Sequence, residues 1–420
     1  MDESPDPVFE YRQHRTSLSA LAFSPCGQFF ASGDVDGNVK IYALRTHRPI
    51  NAALNAWTPH SAGILSVAFV DPCVASFQDD ALPCSTLTPS ADENSTDAAL
   101  PCSSTLTPCA DENSMENGAS SLVATGTEKD LVLLTHGRDT NIHIWKVCPS
   151  SRDLPKLLYS LPVNSLNFCK FSLLVDDSNH LLIAVPNTME ASLVDVYNIS
   201  RKSILHREIG PVPRKPAKPE VSKKSDTGLV MCLKLLSNRR LYVGYESGAI
   251  SCFNLAFSHQ LLFTFKPFPQ PIFSLDVYSQ EEGQQEDLLV AGSAEDYLVV
   301  SKVPLSIIPP DVESTIHSTH LIELNTQLIH PEFDTRRVRL EGAPKGVASV
   351  KWRPMDGRII VCGCWDSSIR VFSSSTLKPL AYLSCHRQGI EALAMHNDLT
   401  LAGGKDAKIS LWRVYTSKEM

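Results

Sequence analysis

The sequence predicts an all-β protein folded as a single seven-bladed β-propeller, and two repeated patterns carry this prediction. The first pattern is six residues long, with apolar residues at its first, fourth and sixth positions and a small residue at its third. Such a small residue in every copy suggests strands that crowd around a common axis. We therefore interpret this pattern as one strand of each blade, and its seven copies span residues 18–23, 64–69, 163–168, 230–235, 272–277, 347–352 and 390–395.

The second pattern follows each copy of the first and consists of a polar turn and an alternating segment such as VKIY, IHIW or ISLW. Its period of two is that of a half-buried strand. An aspartate suits the turn because its carboxylate accepts hydrogen bonds from nearby backbone N–H groups. The clear copies run from Asp36 to Tyr42, Asp139 to Trp145, Asp366 to Phe372 and Asp406 to Trp412, and weaker ones begin at Ala191, Ser247 and Glu295.

These units resemble WD40 repeats, whose four-stranded blades take about 40–45 residues each. The family's His–Thr–Asp–Trp hydrogen-bonding set is complete in the second repeat, at His60, Thr135, Asp139 and Trp145. Repeats three to five are degenerate. Partial sets occur in the first repeat, at His14, Ser32, Asp36 and Tyr42, and in the seventh, at His386, Asp406 and Trp412, with Ala402 where a hydroxyl is expected. We interpret all of these residues as structural.

One propeller accounts for the 420 residues, with repeats expected at about 8–44, 57–147, 157–199, 228–257, 268–303, 343–374 and 382–415. The insertion at 71–121 has few large apolar residues and is predicted to be disordered. A second insertion, 207–226, is a basic, proline-rich loop. The third, 304–342, is either a docking strand or a mobile loop.

The two ends of the chain predict how the ring closes. The last repeat stops at residues 414–415, at the third strand of a blade. A short β-prone run at residues 8–11 precedes the first repeat, so we expect it to pair with the C-terminal blade as its outer strand. Closure of this kind removes exposed sheet edges that would otherwise invite aggregation.

Composition argues against several classes of function. The net charge of −8 disfavours direct nucleic-acid binding, and no apolar stretch approaches the roughly 20 residues of a membrane span. The 12 cysteines and 13 histidines form no CxxC, HxxxH or HExxH pair, so no metal or cofactor is expected. There is no glycine-rich phosphate loop and no G-x-S-x-G turn. Because the third position of the first pattern is never charged, we expect no charged groups on the channel, no small-molecule substrate and no enzymatic activity.

The basic loop has two interpretations. Its cations are separated by prolines, which favour an extended and exposed chain. It is either a solvated connection between repeats or a nuclear-import signal, since short Lys/Arg-rich runs can serve that purpose. The residues concerned are Arg214, Lys215, Lys218, Lys223 and Lys224.

A narrower resemblance covers residues 5–25, 228–255 and 363–415, which are similar to the ASTRA-associated protein 1 family and to G-protein β-subunit-like protein 1. The duplicated insertion at 81–114 departs from that family's pattern. The resemblance implies a scaffold subunit of the ASTRA complex, active in chromatin remodelling and in the maturation of phosphatidylinositol-3-kinase-related kinases. It also implies location in the nucleus, with the cytoplasm as a second site. Implied partners are Tel2- and Tti-type proteins, Rvb-type AAA+ ATPases and a kinase-related large subunit.

Two alternatives use the same fold. A ubiquitin-ligase substrate receptor would bind ligase adaptors instead of Tel2- or Tti-type proteins. A G-protein β-like signalling scaffold would carry a long N-terminal helix that coils with a γ subunit. Here only 12 residues precede the first repeat, with Pro5 and Pro7 among them, too few for three heptads.

Overall fold

The computed structural model describes residues 5–71, 74, 130–164, 168–211, 227–256, 259–279, 286–304, 334–342 and 346–415. These residues form seven antiparallel sheets of four strands each, and the sheets are arranged as the blades of one propeller. The helical structure within the described ranges is a short 3-10 segment, Ala52–Ala56. No helix among them is long and apolar enough to cross a membrane. Apart from residues 71 and 74, the insertion predicted at 71–121 lies outside the described residues.

Each blade is a meander of consecutive strands. The strands of blade 1 are β2 (Leu18–Phe23), β3 (Phe29–Asp34), β4 (Val39–Ala43) and β5 (Arg48–Pro49), and those of blade 2 are β6 (Ile64–Val70), β7 (Leu131–Gly137), β8 (Asn141–Val147) and β9 (Lys156–Pro162). Blade 3 contains β10 (Ser172–Val175), β11 (Leu181–Pro186), β12 (Val194–Asn198) and β13 (Ser203–Ile209). Blade 4 contains β14 (Val230–Leu235), β15 (Arg240–Tyr245), β16 (Ile250–Asn254) and β17 (Gln260–Phe265).

The remaining three blades follow the same order. Blade 5 contains β18 (Ile272–Tyr278), β19 (Glu286–Ser293), β20 (Tyr297–Pro304) and β21 (Asp334–Arg339). Blade 6 contains β22 (Val347–Trp352), β23 (Ile359–Cys364), β24 (Ile369–Ser373) and β25 (Pro379–Leu383). Blade 7 contains β26 (Ile390–His396), β27 (Leu399–Gly404) and β28 (Ile409–Arg413), and its fourth strand is β1 (Phe9–Tyr11).

The first strand of each meander lies innermost, around the hub of the ring. Innermost strands pack against one another in turn: β2 against β6, β10 against β14, β14 against β18, β18 against β22, β22 against β26 and β26 against β2. Blades 2 and 3 meet through His136 and Phe171, whose ring centroids are 6.0 Å apart. The second strand of a blade is covered on both faces by its neighbours, which explains why all six residues of β3 and of β11 are buried.

The hydrophobic core lies between the blades. Between blades 5 and 6, for example, Val290 and Leu298 of one blade pack with Val347 and Val350 of the next. Similar clusters join blades 1 and 2, 3 and 4, 4 and 5, 6 and 7, and 7 and 1. Apolar residues repeating at every second position therefore serve two interfaces, one on each face of the sheet.

The predicted closure of the ring is confirmed. Strand β1 pairs antiparallel with β28, with Phe9 opposite Leu411 and Tyr11 opposite Ile409. The ring of Tyr11 is fully buried and makes edge-to-face contacts with Phe30 and Tyr42 of blade 1, at centroid distances of 4.9 Å and 5.1 Å. The N-terminal strand thus completes blade 7 and also packs on blade 1.

Three details of the predicted boundaries differ in the structure. The pattern at 163–168 is not the innermost strand of blade 3, since β10 begins only at Ser172 and the exposed Phe168 has a positive φ of 59° that interrupts an extended chain. Strand β13 extends to Ile209, into the segment interpreted as a basic loop. Residues 334–339 of the predicted third insertion are β21, the outer strand of blade 5, because Val338 is buried and all six residues pair with β20.

Candidate functional site

The best-matching repeat contains a closed hydrogen-bond network, which we call the blade 2 brace and which consists of His60, Thr135, Asp139 and Trp145. His60 Nδ1 donates to Asp139 Oδ1 over 2.8 Å, because a carboxylate only accepts. Trp145 Nε1 donates to Thr135 Oγ1 over 2.9 Å, and the Thr135 hydroxyl donates to His60 Nε2 over 2.8 Å. The brace therefore ties the approach to β6 to strands β7 and β8.

The surroundings of Asp139 stabilise its charged form. Burial acts to raise the pKa of Asp139, but the hydrogen bonds from His60 and from the backbone N–H of Ser61 hold the pKa below its usual value. His60, Asp139 and His143 also place their ligand atoms within 4.8 Å of one another. Both nitrogens of His60 are already bonded within the brace, and His143 Nδ1 bonds Ser160 Oγ over 2.6 Å. We therefore assign His60 and Asp139 to the brace and His143 to its bond with Ser160, and not to a metal site.

Blade 7 builds the same network with one residue exchanged. His386 Nδ1 donates to Asp406 Oδ1 over 3.0 Å, while the Ser410 hydroxyl donates to His386 Nε2 over 2.8 Å and accepts from Trp412 Nε1 over 2.7 Å. Burial lowers the pKa of His386, although Asp406 acts to raise it, so the neutral ring can accept this bond. The hydroxyl comes from Ser410, which lies directly opposite Ala402 across the strand pair. The sequence pattern of the family instead predicts this hydroxyl at position 402.

Blade 1 corrects the predicted role of Asp36. His14 bonds Asp34 Oδ2 over 2.8 Å and Ser32 Oγ over 2.7 Å, whereas Asp36 is exposed and only its backbone N–H donates to Asp34 Oδ1. Asp34 occupies the register position of Gly137 in blade 2. A Cβ atom at Gly137 would collide with His60 and Asp139, so a side chain at this position necessarily reaches the histidine ring. In blade 1 the carboxylate of Asp34 therefore holds the histidine, as the carboxylate of Asp139 does in blade 2.

The predicted aromatic of blade 1, Tyr42, is fully buried and has a different role from Trp145. Its ring stacks on Phe30 at a centroid distance of 4.7 Å and packs against Tyr11 at the closure of the ring. The remaining predicted residues, Arg214, Lys215, Lys218, Lys223 and Lys224, lie outside the described residues.

Blades 3 to 6 use other polar contacts, which the sequence patterns missed. In blade 3, Asn187 Nδ2 donates to Asp195 Oδ2 over 2.9 Å. In blade 6, Arg370 Nη2 donates to Asp366 Oδ2 over 2.9 Å, in place of a histidine. Blades 4 and 5 share a fully buried ion pair. Arg240 Nη1 lies 3.0 Å from Asp287 Oδ2, which also accepts from the Tyr242 hydroxyl over 2.6 Å.

Charged side chains converge on the hub, contrary to the sequence-based expectation. The third position of the first pattern is uncharged, but its fifth position carries a charge in blades 4, 5 and 6, at Lys234, Asp276 and Lys351. Lys234 Nζ lies 2.7 Å from Asp276 Oδ1, and Asp276 Oδ2 accepts from the backbone N–H of Trp352 over 3.0 Å. The fifth position is Ala22, Ala68 and Ala394 in blades 1, 2 and 7, so this contrast is the sequence signal that could have located them.

Lys170 of blade 3 extends this charged group across the ring. Burial lowers its pKa to about 8, together with the positive charge of Lys351, while Glu391 of blade 7 opposes the shift. Blades 3 and 6 are not neighbours, so the two lysines can influence each other only across the hub. Lys170 as a whole is exposed to solvent. Asp276 acts to raise the pKa of Lys351, but burial and the charge of Lys234 lower it overall.

An aromatic pair lies at one mouth of the hub. Trp365, in the turn after β23, contacts Phe273, the second residue of β18, with their ring centroids 5.3 Å apart. The indole lies directly against Gly346, the residue before β22, where a Cβ atom would collide with the ring and where φ is +97°. Trp365 thus covers the starts of two innermost strands while 38% of it remains exposed.

Comparison with known proteins agrees with the fold. The sequence profile of the ASTRA-associated protein 1 family matches residues 7–398. A protein of that name from Verticillium alfalfae is 25% identical over 99% of this chain and 94% of its own length. Another, from Schizosaccharomyces pombe, is 26% identical over 98% of this chain and 99% of its own. Guanine nucleotide-binding protein subunit beta-like protein 1 of Mus musculus is 27% identical over 67% of this chain and 74% of its own length.

Solved structures with similar folds are more distant in sequence. Raptor from Chaetomium thermophilum aligns with 99% of this chain and 29% of its own, with a TM-score of 0.60 and 13% identity. The computationally designed Ika8 protein aligns with 98% of this chain and 100% of its own, with a TM-score of 0.54 and 13% identity. These two similarities concern the fold alone. Because the family profile runs from the strand that closes the ring into blade 7, the chain belongs to the ASTRA-associated protein 1 family.

Proposed function

We propose that this chain is a non-catalytic scaffold subunit of the ASTRA complex, acting in chromatin remodelling and in the maturation and stability of phosphatidylinositol-3-kinase-related kinases. Its partners in this proposal are Tel2- and Tti-type proteins, Rvb-type AAA+ ATPases and the kinase-related large subunit. The observation that carries the proposal is the family match, which extends over residues 7–398 and so includes almost the whole ring.

The physical character of the propeller supports a scaffold role. Blades 1, 2 and 7 each contain a buried histidine–carboxylate brace, and blades 4 and 5 are joined by a buried ion pair. Such a ring presents its turns in fixed positions, so a partner that binds them orders few groups and loses little of its binding free energy to conformational entropy. The exposed Trp365 is a surface of the kind that anchors protein interfaces, since tryptophan is enriched at their energetic centres.

Affinity purification of the tagged full-length chain, followed by mass spectrometry, tests this proposal. We expect Tel2- and Tti-type proteins and Rvb-type ATPases to co-purify, and depletion of the chain to lower the steady-state level of the kinases. An unrelated seven-bladed propeller with the same tag is the matched control. Recovery of ubiquitin-ligase adaptors without Tel2- or Tti-type proteins would contradict the proposal and favour the substrate-receptor alternative.

We also propose that the chain acts in the nucleus and that its basic loop directs import. Replacing Lys215, Lys218, Lys223 and Lys224 by alanine should then shift a fluorescent fusion towards the cytoplasm. The matched control replaces three exposed lysines of the blades, Lys202, Lys302 and Lys378. Nuclear accumulation that is unchanged in the loop variant would eliminate the import role.

A further inference from the structure

The turns between the second and third strands of the blades lie on one face of the ring, which we call the turn face. The connections that lead into the innermost strands lie on the same face, because successive strands of a meander run in opposite directions. Five blades share one backbone contact there. The first residue of the turn donates its N–H to the carbonyl of the residue just before the innermost strand, and the donors are Val35, Arg138, Glu246, Trp365 and Lys405.

These five donors occupy equivalent positions, and all five are exposed. Blades 6, 7, 1 and 2, which follow one another around the ring, present Trp365, Lys405, Val35 and Arg138 in that order. Blade 4, on the other side of the ring, presents Glu246. One position of the repeat therefore places apolar and cationic side chains on one half of the turn face and a carboxylate on the other half.

Contacts between neighbouring blades join the positions of blades 6, 7 and 1 into a continuous row. The backbone of Trp365 lies against Gly389, whose carbonyl accepts the N–H of Lys405. The carbonyl of Lys405 accepts from the Ser17 hydroxyl over 3.1 Å. The carbonyl of Ser17 in turn accepts from the N–H of Val35 over 3.0 Å.

The row continues through blade 2 and ends at Phe168. Gly63 accepts the N–H of Arg138 and lies so close to Val35 that a Cβ atom on it would be 2.7 Å from the Val35 carbonyl oxygen. The Arg138 guanidinium lies over the ring of Phe168, with its Cζ 4.3 Å from the centroid. Phe168 is 56% exposed and has a φ of 59°, a strained conformation for a bulky residue and one that is found chiefly at functional sites. We call Trp365, Lys405, Val35, Arg138 and Phe168 the mixed arc.

The two halves of the turn face differ in charge. Lys405 Nζ lies 3.1 Å from Glu391, yet 52% of the lysine side chain remains exposed, and Arg138 pairs with no carboxylate among the described residues. The aspartates that follow Arg138 and Lys405 are bonded to the brace histidines, while Asp36, beside Val35, is exposed. The turns of blades 3, 4 and 5 carry Glu190, Glu246 and Glu295. An acidic partner is therefore attracted to the mixed arc and repelled by blades 3 to 5.

One class of occupant matches this surface. A peptide segment in which acidic and apolar residues are interspersed can neutralise the two cations of the arc and also cover its three apolar side chains. Tryptophan and arginine are the side chains that most often dominate the energy of protein interfaces. A single-stranded nucleic acid would bring a phosphate on every nucleotide towards Asp36 on a chain of net charge −8, and Val35 offers its bases no aromatic ring on which to stack.

We propose that the mixed arc binds an acidic, extended segment of a partner protein. Apolar side chains of that segment pack on Trp365, Val35 and Phe168, and its carboxylates meet the two cations between them. The proposal rests on the proposed function as a partner-binding scaffold, and it assigns part of that function to one surface of the ring.

Fluorescence anisotropy with labelled peptides and the full-length chain tests the proposal. The probe is the peptide SDELDEFDELDS. Its three matched versions replace every Asp and Glu by Asn and Gln, every Asp and Glu by Lys, or every Leu and Phe by Ser. We expect the acidic, apolar peptide to bind at least about fivefold more tightly than each of the other three. Its affinity should also fall with added salt, because the contact is partly ionic.

Protein variants locate the site. Trp365→Ala should weaken binding of the acidic peptide about tenfold, and Arg138→Ala about fivefold. Arg138→Glu should weaken it further and should bind the lysine version more tightly than the wild type does, because the charge preference is reversed. Met189→Ala and Lys302→Ala are the matched controls and should leave the affinity unchanged. Met189 is 92% exposed on the turn face of blade 3, and Lys302 is an exposed lysine of blade 5.

Two further variants separate binding from folding. Phe168→Gly should weaken binding about fivefold while its melting temperature equals or exceeds that of the wild type, because glycine adopts a positive φ without strain. Asp36→Asn removes an exposed carboxylate beside the arc, so it should tighten binding of the acidic peptide about twofold.

Three results would overturn the proposal: no binding of the acidic peptide, equal binding of its acidic and neutral versions, or binding that is unchanged in both Trp365→Ala and Arg138→Ala. If oligo-dT binds in place of the peptide and depends on the same two residues, the arc is a nucleic-acid surface. Co-purification separates this inference from the proposed function. A chain that recovers ASTRA subunits but does not bind the peptide removes the arc proposal alone, whereas a chain that recovers no ASTRA subunits removes the proposed function.

Discussion

Blade 2 and blade 4 restrain their strands by different chemistry. In blade 2, His60, Thr135 and Asp139 belong to one repeat, and their hydrogen bonds close within it. In blade 4, Arg240 and Tyr242 reach across to Asp287 on the second strand of blade 5. A repeat that lacks the family motif has therefore not lost its polar restraint, which has moved from the inside of a blade to the interface between two blades.

The difference has an energetic consequence. The side chains of Arg240 and Asp287 are 2% and 0% exposed, whereas that of Asp139 is 14% exposed. Charges removed from water in this way depend on each other, because a single unpaired charge in the interior is costly. Burial raises the pKa of Tyr242 well above its usual value, so its hydroxyl remains a donor to Asp287 at neutral pH. The interface between blades 4 and 5 should therefore be more sensitive to truncation than the blade 2 brace.

Asp287→Ala should give the largest loss of stability, about 4 kcal/mol in the free energy of unfolding, because it leaves Arg240 buried without a carboxylate. The urea midpoint of the wild type and the variant, monitored by tryptophan fluorescence, measures this effect. The double variant Arg240→Met/Asp287→Leu should recover most of the loss, since it removes both charges. Asp334→Ala is the control, because its ion pair with Arg336 is exposed and should contribute less than about 1 kcal/mol. A loss below about 1 kcal/mol for Asp287→Ala would contradict the comparison.

Tyr11→Ala tests a third kind of restraint, the closure of the ring by a strand from the other end of the chain. We expect a loss of about 3 kcal/mol, because a fully buried aromatic side chain is removed from contact with both Phe30 and Tyr42. Phe9→Ala is the matched control on the same strand, where the side chain is partly exposed. Thermal unfolding of the two variants should differ clearly. Equal melting temperatures would mean that the strand contributes pairing but not packing.

Asp139→Asn probes the blade 2 brace, with an expected loss of about 2 kcal/mol at pH 7. Hydrogen bonds from His60 and from the backbone N–H of Ser61 lower the pKa of Asp139 in the folded state against the effect of burial. Because the pKa is lower in the folded state, the stabilisation is present at pH values above the pKa of the unfolded state, about 3.9. It is lost as the pH falls through the pKa of the folded state. The difference between wild type and variant should therefore shrink below about pH 4 in urea titrations at a series of pH values.

Asp36→Asn is the control for that experiment, since the sequence pattern gives Asp36 the role that Asp34 performs in the structure. Its substitution should change the stability by less than about 0.5 kcal/mol. A loss as large as that of Asp139→Asn would restore the predicted assignment.

The fold was predictable because its signals are local and repeated. Strand alternation and the recurring turn are visible within single repeats. The last repeat contains only three strand patterns, which indicated that β1 would supply the fourth strand of blade 7. Side-chain partners were predictable only where they obey the motif, as for His60 and Asp139. Arg240 and Asp287 are 47 residues apart in two different blades, and no periodicity links them. The charges of the hub were not predictable from the third position of the pattern, because that position is always small, whereas Lys234, Asp276 and Lys351 occupy the fifth.

Apart from the control variants, exchange of the hydroxyl in blade 7 should give the smallest loss of stability, and it sharpens the comparison most. Ser410→Ala removes the acceptor of Trp412 and the donor to His386, so we expect a loss of about 1 kcal/mol in urea unfolding. Ala402 lies opposite Ser410, at the position that Thr135 occupies in blade 2. Adding Ala402→Ser to Ser410→Ala should therefore restore about half of the loss, because the hydroxyl can serve His386 from either strand. A double variant no more stable than Ser410→Ala would show that the two positions are not equivalent, and that blade 7 differs from blade 2 in backbone geometry as well as in sequence.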